Sequence, residues 1–409
     1  MPSFGVLARA LRVTTERLAR EISAPGDTAP DWSEFEWDVA RAAAAMQGIT
    51  VLLANRLRWR GPQSWQAFLA IQSRQAVTRE AQIAALLARI DGALRTAGVG
   101  CVALKGAALH SLGIYGAGER PMGDVDLLIR SEQLARVAQA LHSIGYASAF
   151  RTRRHDVFEP RDKPATSRFG EHPDNPLKIE LHEVIAEPLP WRPVDITTSM
   201  WSGASEPGLR GYPSARELMR HLLLHAAGNI RAHALRQVQL HDIALLSSRL
   251  VPGDWIELLR TAQSRGGAWW MWPVLELTMR YYPGALAQQV AGFRRACPWL
   301  LRQASARTTL TQVSWSNLRI AALPGVCWSR TPLDAWNFAR SRVAPDREAR
   351  DELATAHATI AQLQEVRWYG ESHRARILRW LFGRPPRVQT LATVRAALAA
   401  RDDAQISGA

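Results

Sequence analysis

LKGAALHSLGIYGAGERPMGDVDLLI, residues 104–129, is the stretch in which helical spacing gives way to short strands and paired acids. Asp124 and Asp126 stand two apart at the head of an apolar run. Side chains two apart on a strand share a face, so both carboxylates point one way and Val125, Leu127 and Ile129 the other. Neighbouring carboxylates repel unless a cation lies between them. Mg²⁺ suits that place, because it takes oxygen ligands and leaves room for phosphate and water. A lone Asp-x-Asp is common on surfaces; an apolar strand directly behind it points to a built strand end.

A third carboxylate would complete the set, and residues 177–184 offer one. Leu177, Ile179 and Leu181 alternate with Lys178, Glu180 and His182. If this strand lies beside the Asp124 strand, Glu180 joins the two aspartates. Ions held this way would activate an attacking hydroxyl and neutralise a leaving pyrophosphate. Lys105 and Gly106 sit where a strand turns into a helix. Gly106 would let phosphate approach the backbone amides, and Lys105 would add a point charge. Arg120 is a fork for phosphate or carboxylate. The plainer readings are a solvated strand end for Lys105 and an ion pair with Glu119 or Asp124 for Arg120.

Outward from this segment the chain is helical. Residues 3–24 carry an apolar stripe, Asp31-Trp32-Ser33-Glu34 leads into a helix reaching about Arg58, and a third helix runs from about residue 62 or 64 to Arg95, ended by Gly98 and Gly100. Strands are expected at 101–104, 124–129, 146–150 and 177–184, with short helices at 106–112 and 132–144. The polar, proline-rich stretch 160–176 reads as a loop beside the site. Helices return at 214–228, 232–249, 254–265 and 268–282, then at 331–362 and 387–402. The chain thus divides into an N-terminal helical region (1–97), a mixed α/β core (98–200), a helical region lining the cleft (201–290) and a mostly helical C-terminal region (291–409).

VALKGAALHSLGIYG, RPMGDVDLLI and, at 179–182, IELH resemble the uncharacterised nucleotidyltransferase family of the polymerase-beta-like superfamily. Similar members occur in bacterial exopolysaccharide and lasso-peptide gene neighbourhoods. The resemblance is strongest over 100–185 and fades by about 250. It implies an α+β fold, a small mixed-sheet core embedded between helical regions. It also implies a glycine motif on Gly106 and metal-binding, catalytic carboxylates on Asp124, Asp126 and Glu180. Mg²⁺ or Mn²⁺ would be the cofactor and an NTP the co-substrate. Lys105, Gly106, Arg120 and His182 are the nucleotide-binding candidates. Two features depart from the superfamily's general pattern: Ala107 follows Gly106 where a hydroxyl or glycine is usual, and the span from Gly106 to Asp124 is long.

His221 and His225 lie one helical turn apart and would suit zinc, but the residues between them are leucines and no HExxH is present. Core or cleft-lining histidines are the simpler reading. The resemblance places them, with Asp242, on an acceptor wall. The Trp269-Trp270-Met271-Trp272 run reads as core. Residues 374–387 are basic and partly amphipathic, either a solvated helix end or a peripheral membrane or partner contact.

The composition is globular: 409 residues, 47% hydrophobic and 22% charged. The formal net charge of +14 is almost entirely arginine and permits anionic substrates. Without a dense basic block it argues against a nucleic-acid partner. Three scattered cysteines make neither a disulfide framework nor a zinc cluster. The first residues lack a secretory core, and no apolar run is long enough to span a bilayer, so a cytoplasmic protein is expected. Three functions compete: a nucleotidyltransferase acting on a sugar phosphate, small molecule, peptide or protein; a non-catalytic helical binding or scaffold protein on a transferase-like core; and a nucleic-acid terminal transferase.

Overall fold

The structure, a computed structural model, describes residues 2–406 apart from 153–154, 163–167, 191, 202–205, 265–266, 287–289, 321–322, 348–349, 352–353, 355–370 and 384. Four helices open the chain: α1 (Phe4–Glu21), α2 (Glu34–Gln47), α3 (Thr50–Arg56) and α4 (Gln63–Ala97). Ser33 starts α2 with a reciprocal cap, its hydroxyl accepting from the Glu36 amide while the Glu36 carboxylate accepts from the Ser33 amide. The single helix expected from 34 to 58 is broken. Gly48 adopts the left-handed conformation that ends α2, and a Cβ there would lie 2.6 Å from the Arg236 guanidinium. Gly98 ends α4 in the same way, whereas Gly100 already belongs to the first strand.

The strands are β1 (Gly100–Ala103), β2 (Asp124–Leu128), β3 (Tyr146–Arg151), β4 (Asp156–Pro160), β5 (Lys178–His182), β6 (Ala186–Pro188), β7 (Pro193–Asp195) and β8 (Gly208–Arg210). Six of them form one mixed sheet in the order β3-β4-β5-β2-β1-β8, and β6 and β7 form a separate hairpin. Strands β2 and β5 are parallel neighbours, with Asp124 opposite Lys178 and Asp126 opposite Glu180. Sequence spacing does not predict β4, which pairs with its chain neighbour β3 and with β5, or the three-residue β8, which pairs with β1. Two helices complete this unit, α5 (Lys105–Ser111) and α6 (Leu134–Ser143). The fold is therefore α+β, a small mixed sheet flanked by helical regions.

The sheet has two unlike faces. Val125, Leu127, Ile129, Ile179 and Leu181 are sealed beneath Ile83, Leu86 and Ile90 of α4 and Val137 and Leu141 of α6. Each fully buried side chain of this kind is worth about 1.5–3 kcal/mol relative to exposure. The opposite face carries Asp124, Asp126 and Glu180, with Val102, Leu104 and Leu128 joining a larger core.

That larger core belongs to the helices α7 (Ala215–Ala232), α8 (Gln237–Ser247), α9 (Pro252–Ser264) and α10 (Trp272–Tyr281). Trp269, Trp270, Met271 and Trp272 are buried in it, as are Tyr281 and Tyr282. Pro332–Val343 is helical, but most of the expected helix beyond residue 347 lies outside the described residues. The region after 291 contributes to the interior. Its last helix, Val388–Ile406, packs on α2, and Leu391 and Val394 share a core with Leu7, Leu11 and Val39. Among the described residues no helix is long and apolar enough to cross a membrane.

Candidate active site

The site begins with Arg79, a buried arginine of α4. It donates to the carbonyls of His172 (3.0 Å), Asn175 (2.7 Å) and Met122 (3.1 Å), and its Nε lies 3.1 Å from Glu171. One side chain thereby pins both the loop that leads into β2 and the loop that leads into β5. Those two loops set where Asp124 and Glu180 emerge.

Asp126 is the hub. Its Oδ1 accepts from Lys105 Nζ at 2.8 Å and lies 2.8 Å from His182 Nε2. Burial alone would raise its pKa, but Lys105 and His182 outweigh burial and hold it well below the usual carboxylate range. The other two acids lack that neutralisation. Burial, then the charge of Asp126, raises Asp124. Glu180 is pushed up to about 8, by burial first and then by Asp126 and Asp124. Three carboxylates thus crowd one strand end, and the direct contacts of Lys105 and His182 go to Asp126. A divalent cation among them would offset the mutual repulsion that raises Asp124 and Glu180. The oxygen donors fit Mg²⁺ or Mn²⁺.

Lys105 is not a solvated strand end. Burial disfavours its charge, but Asp126 and Asp124 outweigh this and raise its pKa. Its backbone holds φ +46°, a region that costs a non-glycine residue energy and that recurs at functional sites. Its amide donates to the Tyr212 hydroxyl at 3.2 Å, and that hydroxyl lies 2.6 Å from His221 Nδ1. The Tyr212 hydroxyl thus links the Lys105 backbone to the His221 ring. Burial, with Lys105 adding to it, holds the His221 pKa well below the ordinary histidine value.

Gly106 lines the cleft, but the space a side chain would take is filled by Met122, whose Sδ lies 2.6 Å from an ideal Cβ position. Arg120 uses its fork on Asp242, with Nε at 2.7 Å and Nη2 at 2.9 Å, rather than on Glu119 or Asp124. Tyr115 donates to the same carboxylate at 2.6 Å. His225 faces Glu187 at 3.8 Å and Asn229 at 3.1 Å.

These groups surround one cleft of about 310 Å³. Asp124, Asp126, Glu180, Lys105, Gly106, Arg120 and His182 all line it, as do His221, His225 and Asp242. Lining residues that the sequence reading does not single out include His155, Asn229, Arg236 and Trp315. Arg236 lies on the loop into α8 and carries a second guanidinium to the cleft; burial lowers its pKa, with Arg120 adding to the effect. Trp315 is held by residues remote in sequence: Arg387 stacks 4.9 Å from its ring, and Thr390 donates to its carbonyl at 2.6 Å. His155 directly precedes β4, and only strand pairing brings it to Glu180. The stretch His155-Asp156-Val157-Phe158-Glu159 shows no period-two alternation, so nothing local points His155 at the site.

A family described as uncharacterised nucleotidyltransferase matches residues 33–283, more than half of the chain. The chain belongs to that family, within the polymerase-beta-like superfamily. No curated protein and no solved structure matches it. Trp315 and the final helix lie beyond the matched residues.

Proposed function

We propose that this member of the nucleotidyltransferase family moves a nucleoside monophosphate from an NTP to an acceptor hydroxyl or phosphate, with release of pyrophosphate. The observation that carries this reading is the pairing of β2 with β5. It sets Asp126 opposite Glu180, with Asp124 one strand repeat away, facing a cleft whose walls also bear Lys105, Arg120 and Arg236. Paired acids on one strand, a third acid on its neighbour and cationic walls suit a polyphosphate carried with a divalent ion. The cleft volume is in the range of small-molecule sites.

Asp124 and Asp126 would hold Mg²⁺ or Mn²⁺ with Glu180 completing the set, and the ion would neutralise charge on the phosphates and the leaving pyrophosphate. Lys105, now on Asp126, is a flexible ammonium within reach of the same phosphates. Arg236 adds charge from the opposite wall. Arg120 acts differently. With its fork committed to Asp242, it fixes α8 against the loop before β2 and leaves less of its guanidinium for phosphate. His221, His225 and Asn229 line the acceptor side. The acceptor oxygen would form its bond to the α-phosphorus as the bond to the bridging oxygen breaks.

The acceptor is a sugar phosphate, a small molecule, a peptide or a protein, and a cytoplasmic setting, where NTPs and Mg²⁺ are present, is part of the proposal. The test is incubation of purified protein with each labelled NTP, Mg²⁺ or Mn²⁺ and cell extract, followed by product mass. One NTP should be consumed with matching pyrophosphate, and a product should gain the mass of a nucleoside monophosphate. No consumption with any NTP, metal or extract would replace this reading with that of a binding protein on a transferase-like core.

A further inference from the structure

The carboxylates of β2 are an all-oxygen donor set, but the neighbouring strands offer something else. His155, Glu180 and His182 place one ligand atom each so that all lie within 4.8 Å of one another. Glu180 Oε2 is 3.5 Å from His155 Nε2 and 3.7 Å from His182 Nε2. The two imidazole rings lie 5.1 Å apart, centre to centre. Ligand atoms about 2.0–2.1 Å from one ion in a tetrahedral arrangement stand about 3.3–3.4 Å from each other. The separations to Glu180 need to close by only a few tenths of an ångström. His182 Nε2 is also 2.8 Å from Asp126 Oδ1, a contact that an ion on Nε2 would replace.

We infer that His155, Glu180 and His182 form a cation site of their own, selective for a first-row transition ion rather than Mg²⁺. Two imidazoles and a carboxylate suit Zn²⁺, Co²⁺ or Fe²⁺, whereas Mg²⁺ takes oxygen ligands and gives up water reluctantly. Three protein ligands with a position left open describe a catalytic arrangement more than a structural one. The bound ion takes the place of the hydrogen that His182 Nε2 directs at Asp126. The open position faces the cleft shared with the β2 carboxylates. There the ion would lower the pKa of a bound water or acceptor hydroxyl. The site stands on its own geometry; only that last role rests on the transfer reading.

Co²⁺ is the probe, because its visible absorption reports nitrogen ligation without any nucleotide. Full-length protein stripped with chelator should bind one Co²⁺ per chain, with bands that Zn²⁺ abolishes and millimolar Mg²⁺ does not. His155→Ala and His182→Ala should each weaken Co²⁺ binding by at least about tenfold, with melting temperature measured alongside. His155→Gln, close in size and outside every core cluster, covers the case in which a variant fails to fold. No bands, bands displaced equally by Mg²⁺, or affinity unchanged in folded His155 variants would overturn the inference and leave the two histidines as simple partners of Glu180. The transfer reading fails separately. Wild-type protein that binds Co²⁺ through His155 but turns over no NTP keeps the site and loses the transfer. Wild-type protein that turns over NTP with Mg²⁺ but gives no Co²⁺ bands keeps the transfer and loses the site.

Discussion

Strands β2 and β5 present two surfaces from one backbone. Toward α4 and α6 they show Val125, Leu127, Ile129, Ile179 and Leu181, all buried. Toward the cleft they show Asp124, Asp126, Glu180 and His182. The apolar side gains from every side chain it hides. The acidic side gathers like charges that raise one another's pKa. Period-two alternation lets the first offset the second, so the strand pair is rigid where it is stable and strained in charge where chemistry would occur. Arg79 and Arg120 are exceptions, polar groups near the site that hold structure by tying loops and helices to it.

The largest stability effects should come from testing that boundary. Removing the Arg120 guanidinium leaves Asp242 buried without its bidentate partner, and breaking such a pair costs about 3–5 kcal/mol. Arg120→Ala should lose that much by chemical denaturation. The double variant with Asp242→Asn should lose less than the sum of the two single changes, since the stranded charge is gone. Additive losses would mean the pair is not coupled. On the apolar face, Leu127→Ala should cost about 2–5 kcal/mol through cavity formation, with transfer per folded molecule close to that of the parent. A Leu127 variant that kept its stability would break the contrast between the faces.

A smaller effect comes from the helical wall. Burial holds His241 at about 3, helped by Arg56 and Arg120, and holds His233 at about 4, helped by Arg387 and Arg231. Both histidines take up protons near 6.5 once unfolded. Between these values the unfolded chain binds protons that the folded chain refuses. Stability is therefore complete above about 6.5 and is lost as pH falls toward 4. Each such histidine contributes up to about 1.4 kcal/mol per pH unit. His241→Asn should flatten the stability profile between pH 6 and 4 by about that slope; an unchanged profile would show that His241 charges within the fold.

The segments that announce themselves in the sequence are local. Helix α4 shows its period and its Gly98 stop, and the strands around Asp124 and Glu180 show their alternation within five or six residues. That is why the sheet's two faces and the three acids on one of them were legible. What was not legible depends on partners far along the chain. Strand β8 is three residues long and is held by pairing with β1 and by Asp91 of α4, which accepts from the Leu209 amide. His155 reaches Glu180 through β4, which lies just before a polar loop. Trp315 joins the cleft because Gln47 donates to Ser314 and Ser316 on either side of it, contacts that span most of the molecule. The break at Gly48 falls within an otherwise helical run, and the Arg236 guanidinium packed against it comes from far along the chain.

On the proposed function, Asp124 serves the chemistry of the cleft face and not the stability of the fold. The direct test is to measure melting temperature and NTP-dependent transfer on one preparation of Asp124→Asn with Mg²⁺ present. The amide keeps the shape, removes a charge repelled by Asp126 and weakens a metal ligand. The melting temperature should stay level or rise slightly, and transfer should fall by about 100-fold or more. A variant that keeps more than about a tenth of parental transfer, or that loses activity only because it melts earlier, would contradict the account.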